Sequence, residues 1–68
     1  MIEKEIAERF LNKSVQIERI ISGNTIFSKG FLVEVGEYNI LLDFNGTLQA
    51  YSLESILSIR ENMENLNE

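Results

Sequence analysis

The chain has 68 residues and contains no Cys and no His, which excludes a disulfide framework and a zinc cluster. A domain of this size buries only about 60% of the surface of its unfolded chain, and no apolar run approaches the roughly 20 residues of a membrane span. The net charge of −5, from 6 basic and 11 acidic residues, excludes a broadly basic surface of the kind that binds duplex DNA.

Residues 2–11 carry the first structural pattern along the chain. Ile2, Ile6 and Phe10 follow i, i+4 spacing with Ala7 and Leu11 beside them, which predicts a short amphipathic helix over residues 2–11. Ten residues form only a marginal helix in isolation, so this helix must pack against another element. We expect Ile6, Phe10 and Leu11 to cover one open end of the β-structure that follows.

From Ser14 onward the apolar period changes to two, which is typical of β-strands. The predicted strands cover residues 14–21, 26–35, 38–44, 47–51 and 56–59. Gly30 interrupts the second strand, and a glycine inside a strand predicts a bulge or a sharp bend. The pair Asn45 and Gly46 predicts a tight hairpin, because both residues accept positive φ. Gly36 begins a short turn, and residues 52–55 are predicted as one turn of 3₁₀ helix.

The chain is therefore predicted to be mainly β, with a short N-terminal α-helix followed by a five-stranded antiparallel, strongly bent SH3-like barrel. Five strands in so few residues have no helices to cover their faces, so they must close on themselves. Residues 1–60 form a single domain, with the helix at 2–11 and the barrel at 14–60. Residues 61–68 form an acidic C-terminal tail. Residues 12–60 hold five acidic and four basic side chains, so the barrel is nearly neutral.

Residues 30–42, with the sequence GFLVEVGEYNILL, contain a glycine, a hydrophobic residue two positions later, a turn and an apolar strand. This arrangement resembles the first motif of the Sm-like (LSm) family, which includes bacterial Hfq, and the resemblance extends over residues 6–60. It implies a barrel of Sm type and a homo-oligomeric ring in which strand four of one copy pairs with strand five of the next. The candidate interface residues are Tyr51, Ile56, Leu57 and Ile59. Strand five has no Lys or Pro within residues 56–59 to protect an exposed edge.

The same resemblance implies a site for single-stranded RNA at the turn between strands two and three. The aromatic residue that stacks on a base in Hfq falls on Tyr38, and the family's RNA-binding Asn matches Asn39 with a one-residue slip. The family's turn Asp falls on Gly36. In the second motif, Ser52 and Leu53 replace the family's Arg-Gly, and only Tyr51 matches the Tyr-Lys-His of Hfq.

Two functions are compatible with these observations. In the first, the chain is a non-catalytic ring that binds single-stranded RNA, with Tyr38 stacked on a base and Asn39 bonded to a base edge. In the second, it is a protein-interaction or assembly module that keeps the Sm-like fold and has lost RNA binding, which the missing Arg-Gly and Lys-His favour. A purely structural interpretation of the pair has Tyr38 capping the core and Asn39 on the strand surface.

Catalysis, cofactors and metal ions are not expected. Without His or Cys the chain lacks the commonest catalytic base and the best nucleophile, and its four glycines lie at separate turns or bends. The basic residues of the barrel, Lys13, Arg19, Lys29 and Arg60, are too few for strong phosphate binding unless a ring concentrates them. The expected partners are other copies of the chain, with single-stranded RNA or a protein besides, and neither a membrane nor duplex DNA. No basic-then-apolar leader opens the sequence, so we expect a cytoplasmic location.

Overall fold

A computed structural model describes residues 1–62 of the chain. Within that range lie one short helix and five strands, which are α1 (Lys4–Glu8), β1 (Ser14–Ile21), β2 (Asn24–Val35), β3 (Asn39–Phe44), β4 (Thr47–Ser52) and β5 (Ile56–Glu61). The strands form one antiparallel sheet in the order β4-β3-β2-β1-β5. The prediction of a mainly β chain with one short helix and five antiparallel strands is confirmed.

The end of β5 differs from the prediction. The strand continues two residues past Ile59 and includes Glu61, which was assigned to the tail. Beyond it, the Asn62 amide donates to the Ser14 carbonyl oxygen at 2.7 Å. The sequence did not indicate the full length of β5, because its last two residues are charged and lie on an exposed edge strand. Residues 63–68 of the predicted acidic tail lie outside the described residues.

The sheet is open but must be strongly curved. β4 and β5 lie at its opposite edges, yet a single 3₁₀ turn, Leu53–Ser55, joins them. Three residues separate Ser52 from Ile56, and the four steps along the chain between them span at most about 14 Å. The outer strands of a flat five-stranded sheet lie about 19 Å apart. The short connection therefore requires the two edges to curl toward each other, with the 3₁₀ turn as predicted from residues 52–55.

The hydrophobic core fills the concave face of this sheet. Alternation along β1 buries Val15 and Ile17, while Gln16 and Glu18 point to the convex face. The fully or nearly fully buried apolar residues of the described chain are Ala7, Val15, Ile17, Leu32, Ile40, Leu42, Leu53 and Ile56. This core is small, so each of its members carries a large share of the stability.

The bulge in β2 lies three residues beyond the predicted position at Gly30. The β2–β3 register shifts between Leu32 and Glu34, so Val33 is the extra residue. The shift reverses the alternation, and Val35 packs against the core on the side of Leu32 instead of sharing a face with Val33. Gly30 allows β2 to lie close to β3, because a Cβ at this position would lie 3.0 Å from the carbonyl oxygen of Asp43.

The helix is shorter than predicted, and only part of its predicted apolar face packs against the core. Between residues 3 and 13, most backbone hydrogen bonds outside α1 join residues three apart. They include the bonds from the Phe10 amide to the Ala7 carbonyl oxygen at 2.9 Å and from the Lys13 amide to the Phe10 carbonyl oxygen at 3.1 Å. Three residues per turn align Ala7 with Phe10 rather than Ile6 with Phe10. Ala7 is accordingly buried and Phe10 packs against the core, while Ile6 and Leu11 remain exposed. The prediction that Ile6 and Leu11 cover the sheet is wrong.

Two tight hairpins set the strand registers. Asn45 and Gly46 both have positive φ, as the sequence predicts, and the Gly46 amide donates to Asp43 Oδ1 at 2.9 Å. Ser22 and Gly23 also have positive φ and form a two-residue turn, so β2 begins at Asn24 rather than at residue 26. Ser22 is an unusual residue for this conformation, which is why the sequence suggested a longer turn.

Candidate functional site

Both edges of the sheet are open in the described chain. β4 has β3 on one side and no strand on the other, and β5 has β1 on one side and no strand on the other. Each edge strand is six residues long, and neither contains Pro. β4 also carries no charged residue. Such edges present unpaired backbone donors and acceptors to another strand.

The predicted interface residues fall into two groups. Ile56 is fully buried in the core, and Tyr51 and Ile59 are half-buried and pack against it, so these side chains stabilise the protomer. Leu57, 43% exposed, is the predicted interface side chain that is available to a partner. On the opposite edge strand Leu48 is 58% exposed, a residue that sequence reasoning missed. Alternation counted from the Asn45 and Gly46 hairpin would have placed Leu48 outward.

Tyr51 has a defined role inside the curved sheet. Its ring centroid lies 4.5 Å from the guanidinium carbon of Arg19, and its hydroxyl donates to Oε1 of Gln49. Arg19 Nη2 in turn donates to Ser28 Oγ at 3.2 Å, while its Nε is buried without a partner in the described chain. Because Arg19 lies on β1 and Tyr51 on β4, this contact crosses the concave face and helps to hold the curvature.

Tyr38 lies in the turn between β2 and β3, and Asn39 is the first residue of β3. Tyr38 is 77% exposed, so its ring does not cap the core, although its carbonyl accepts the Leu53 amide at 2.8 Å. Asn39 is exposed and pairs with Ser52, and its carbonyl accepts the Gly36 amide at 2.7 Å. The backbone of this turn is therefore firmly held, while both predicted RNA-contacting side chains are accessible.

Two cavities flank this turn, and we call Tyr38, Asn39 and the lining of these cavities the turn surface. One cavity, of about 420 Å³, lies among residues 1–5, 37–38 and 52–54. The other, of about 350 Å³, includes Tyr38 and Asn39 themselves with Leu41 and Ala50 behind them. The turn surface is thus concave enough to receive a small group of a partner molecule.

The turn surface is acidic. Its lining includes five carboxylates, those of Glu3, Glu5, Glu34, Glu37 and Glu54. The basic side chain in the same lining belongs to Lys4, whose Nζ lies 3.4 Å from Glu37 and 4.0 Å from Glu8. An excess of negative charge repels phosphate groups, so the surroundings of Tyr38 oppose the nucleic-acid contact that its exposure allows.

Comparison of the chain with protein-family models, curated proteins and solved structures gave no match. The helix described in residues 1–62 is too short to cross a membrane. Within the same residues no group of three acidic side chains is arranged to hold a metal ion. The described residues present exposed strand edges, aromatic rings and charged side chains to a partner.

Proposed function

We propose that the chain is a non-catalytic assembly module, an SH3-like small barrel of Sm type whose copies form a closed ring. In this ring β4 of one copy pairs with β5 of the next. The observation that carries the proposal is the strand order, which leaves two different strands of equal length, both six residues, at the two open edges. The curled sheet and the three-residue connection between Ser52 and Ile56 support the barrel.

Pairing of unlike edges favours a ring over a dimer. When β4 of one copy meets β5 of another, the second copy still has an open β4, so the contact repeats head to tail and closes if the rotation per copy allows. Each new backbone hydrogen bond contributes about 0.5–1.5 kcal/mol, and the contact would bring Leu48 and Leu57 to the subunit boundary.

The apolar surface of the protomer also supports assembly. Among residues 1–62, eight apolar residues form the core, whereas thirteen large apolar side chains remain exposed. The exposed set is Met1, Ile6, Leu11, Ile20, Ile21, Ile26, Phe27, Phe31, Val33, Tyr38, Phe44, Leu48 and Leu57. A chain with so little interior gains stability when part of this surface is buried against a second copy.

Native mass spectrometry and light scattering test the ring. We expect one closed species whose mass is a whole multiple of the 7.8 kDa chain. Leu48→Lys and Leu57→Lys place a charge on each open edge and should release folded monomer, whereas Ile20→Lys, on the convex side of β1, should leave the ring intact. A wild-type chain that stays monomeric at high concentration would contradict the proposal.

A second candidate function is binding of single-stranded RNA at Tyr38 and Asn39. The observation in its favour is the 77% exposure of the Tyr38 ring beside a cavity, and a ring of copies would repeat this weak contact. Titration of oligo-A and oligo-U with the wild type and Tyr38→Ala tests it. Stacking predicts a loss of binding in the variant, and unchanged binding would exclude this turn as the RNA site.

A further inference from the structure

The larger cavity of the turn surface is held in shape by backbone hydrogen bonds. Three segments that are far apart in the sequence form its wall, and these bonds join them in series. The Ile2 amide donates to the Leu53 carbonyl oxygen at 3.4 Å, and the Leu53 amide donates to the Tyr38 carbonyl oxygen at 2.8 Å. Leu53 is buried in the core and Ile2 packs against it. The cavity of about 420 Å³ is therefore already formed in the folded protomer.

The Tyr38 ring adjoins two cavities. Tyr38 lines both the cavity of about 420 Å³ and that of about 350 Å³, and most of its ring is open to solvent. The face of an aromatic ring attracts an ammonium or guanidinium group that lies within about 6 Å of its centre. Ile2 and Leu53 line the first cavity and Leu41 lines the second. Each cavity therefore offers apolar contact to the aliphatic stem of a Lys or Arg side chain.

Both cavities carry an excess of negative charge around this apolar lining. The carboxylates of the larger cavity are those of Glu3, Glu5, Glu37 and Glu54. Its cations are the Lys4 side chain and the amino group of Met1, so carboxylates outnumber cations there. Glu34 and Glu37 line the smaller cavity, and no basic residue of the described chain lines it with them. The turn surface is therefore complementary to a positive charge carried on an apolar stem.

An ammonium group of the chain itself already lies on this surface. Lys4 Nζ lies 3.4 Å from Glu37 Oε1 and 4.0 Å from Glu8 Oε2. The Glu37 side chain is 70% exposed, so the pair is accessible to solvent and to a partner. Exposed ion pairs of this kind are weak, because water screens the two charges. A basic side chain of a partner can therefore take the place of Lys4 beside Glu37 at little cost.

We propose that the turn surface binds a basic segment of a protein partner. One Lys or Arg side chain of that segment places its charge over the Tyr38 ring and beside Glu37, the carboxylate common to both cavities, and a second enters the other cavity. A single strand of nucleic acid would supply a base for the ring but would also bring phosphates among five carboxylates. The site is complete within one protomer, so mass measurements of the ring and binding measurements at the turn surface fail independently.

Fluorescence anisotropy with labelled hexalysine tests this surface on the full chain, with no residues added before Met1. We expect binding at low salt that weakens as the ionic strength rises, because exposed charges are screened, and no binding of labelled hexaglutamate. Glu54→Gln and Tyr38→Ala should each weaken hexalysine binding about two- to fivefold, whereas Tyr38→Phe keeps the aromatic face and should bind as the wild type does. Lys4→Gln should tighten binding about twofold, because it removes the internal competitor for Glu37.

Matched variants separate a site from general attraction to an acidic chain. Glu18→Gln removes the same charge from the convex face, where Glu18 Oε1 accepts the Ser58 hydroxyl, and Phe27→Ala removes an exposed ring there, so neither should change hexalysine binding. Equal losses in Glu18→Gln and Glu54→Gln would overturn the proposal, as would unchanged binding in Tyr38→Ala or weaker binding in Lys4→Gln. Absence of hexalysine binding at low salt would also overturn it, and binding of oligo-A or oligo-U lost in Tyr38→Ala would then assign the turn surface to nucleic acid.

Discussion

The turn surface and the convex face of β1, β2 and β5 each set an exposed aromatic ring beside an amide, in different electrostatic surroundings. The turn surface sets Tyr38 and Asn39 among five carboxylates, whereas Phe27 and Gln16 on the convex face lie with two cations and one carboxylate, those of Lys29, Arg60 and Glu18. Each has an exposed ring that can stack and an amide that can bond a base edge. The difference teaches that an aromatic beside an amide is not sufficient to indicate a nucleic-acid site. The sign of the charge around the ring and the amide decides whether a phosphate group can bind beside them.

Gly30→Ala should produce the largest effect, because Gly30 on β2 lies directly against β3. The added Cβ would meet the Asp43 carbonyl oxygen at 3.0 Å and the Leu42 Cβ at 3.2 Å, so β3 must move. We expect a loss of about 1–3 kcal/mol in the free energy of unfolding, measured by urea denaturation. Gly36→Ala is the matched control at the turn, where the nearest atom is 3.3 Å away, and it should cost less. A larger loss at Gly36 would show that the turn, and not the β2–β3 contact, is the tighter element.

Glu37→Lys tests whether charge alone separates the two surfaces. The substitution reverses one carboxylate beside Tyr38 and also removes the partner of Lys4, so two cations then face the ring. We expect nucleic-acid binding to become more sensitive to salt. For each new phosphate contact, the affinity measured by anisotropy should fall about two- to threefold more over a fourfold rise in salt concentration. Glu8→Lys reverses a helix carboxylate that does not line either turn cavity and serves as control. Unchanged binding in Glu37→Lys would mean that geometry, and not charge, keeps nucleic acid away from Tyr38.

Lys4→Gln should have the smallest effect. Its ion pairs with Glu37 and Glu8 are exposed, and such pairs contribute at most about 1 kcal/mol, so thermal unfolding should change little. The turn surface becomes still more acidic, and binding of oligo-A and oligo-U, measured by anisotropy, should remain as in the wild type. A marked fall in binding would indicate that Lys4, and therefore the turn surface, contacts the phosphates.

Local patterns in the sequence predicted much of the fold. Alternation found the five strands, the hairpin at Asn45 and Gly46, and the 3₁₀ turn before β5, because each depends on neighbours within a few residues. The bulge at Val33 was misplaced to Gly30, since a glycine can serve close approach without breaking register. Ile6 and Leu11 were wrongly expected to cover the sheet, because backbone hydrogen bonds between residues three apart align Phe10 with Ala7.

Sites were harder to predict than elements. Tyr38 and Asn39 were found as accessible residues, but the carboxylates around them come from three separate segments of the chain. Ile56 was predicted at a subunit interface and lies instead in the core, whereas Leu48 was missed on the opposite edge. Burial depends on which side of a curved sheet each residue faces, and local alternation gives that side only after the register is known.

By itself the sequence determined a small, mainly β chain with one helix, no Cys or His, and a nearly neutral strand region. Only the tertiary structure decided that β4 and β5 are the open edges and that Lys29, Gln16 and Arg60 form one row. The physical reason is that strands pair with partners that are far away along the chain. Strand order and register are set by contacts between residues up to about 45 positions apart, and no local period encodes them.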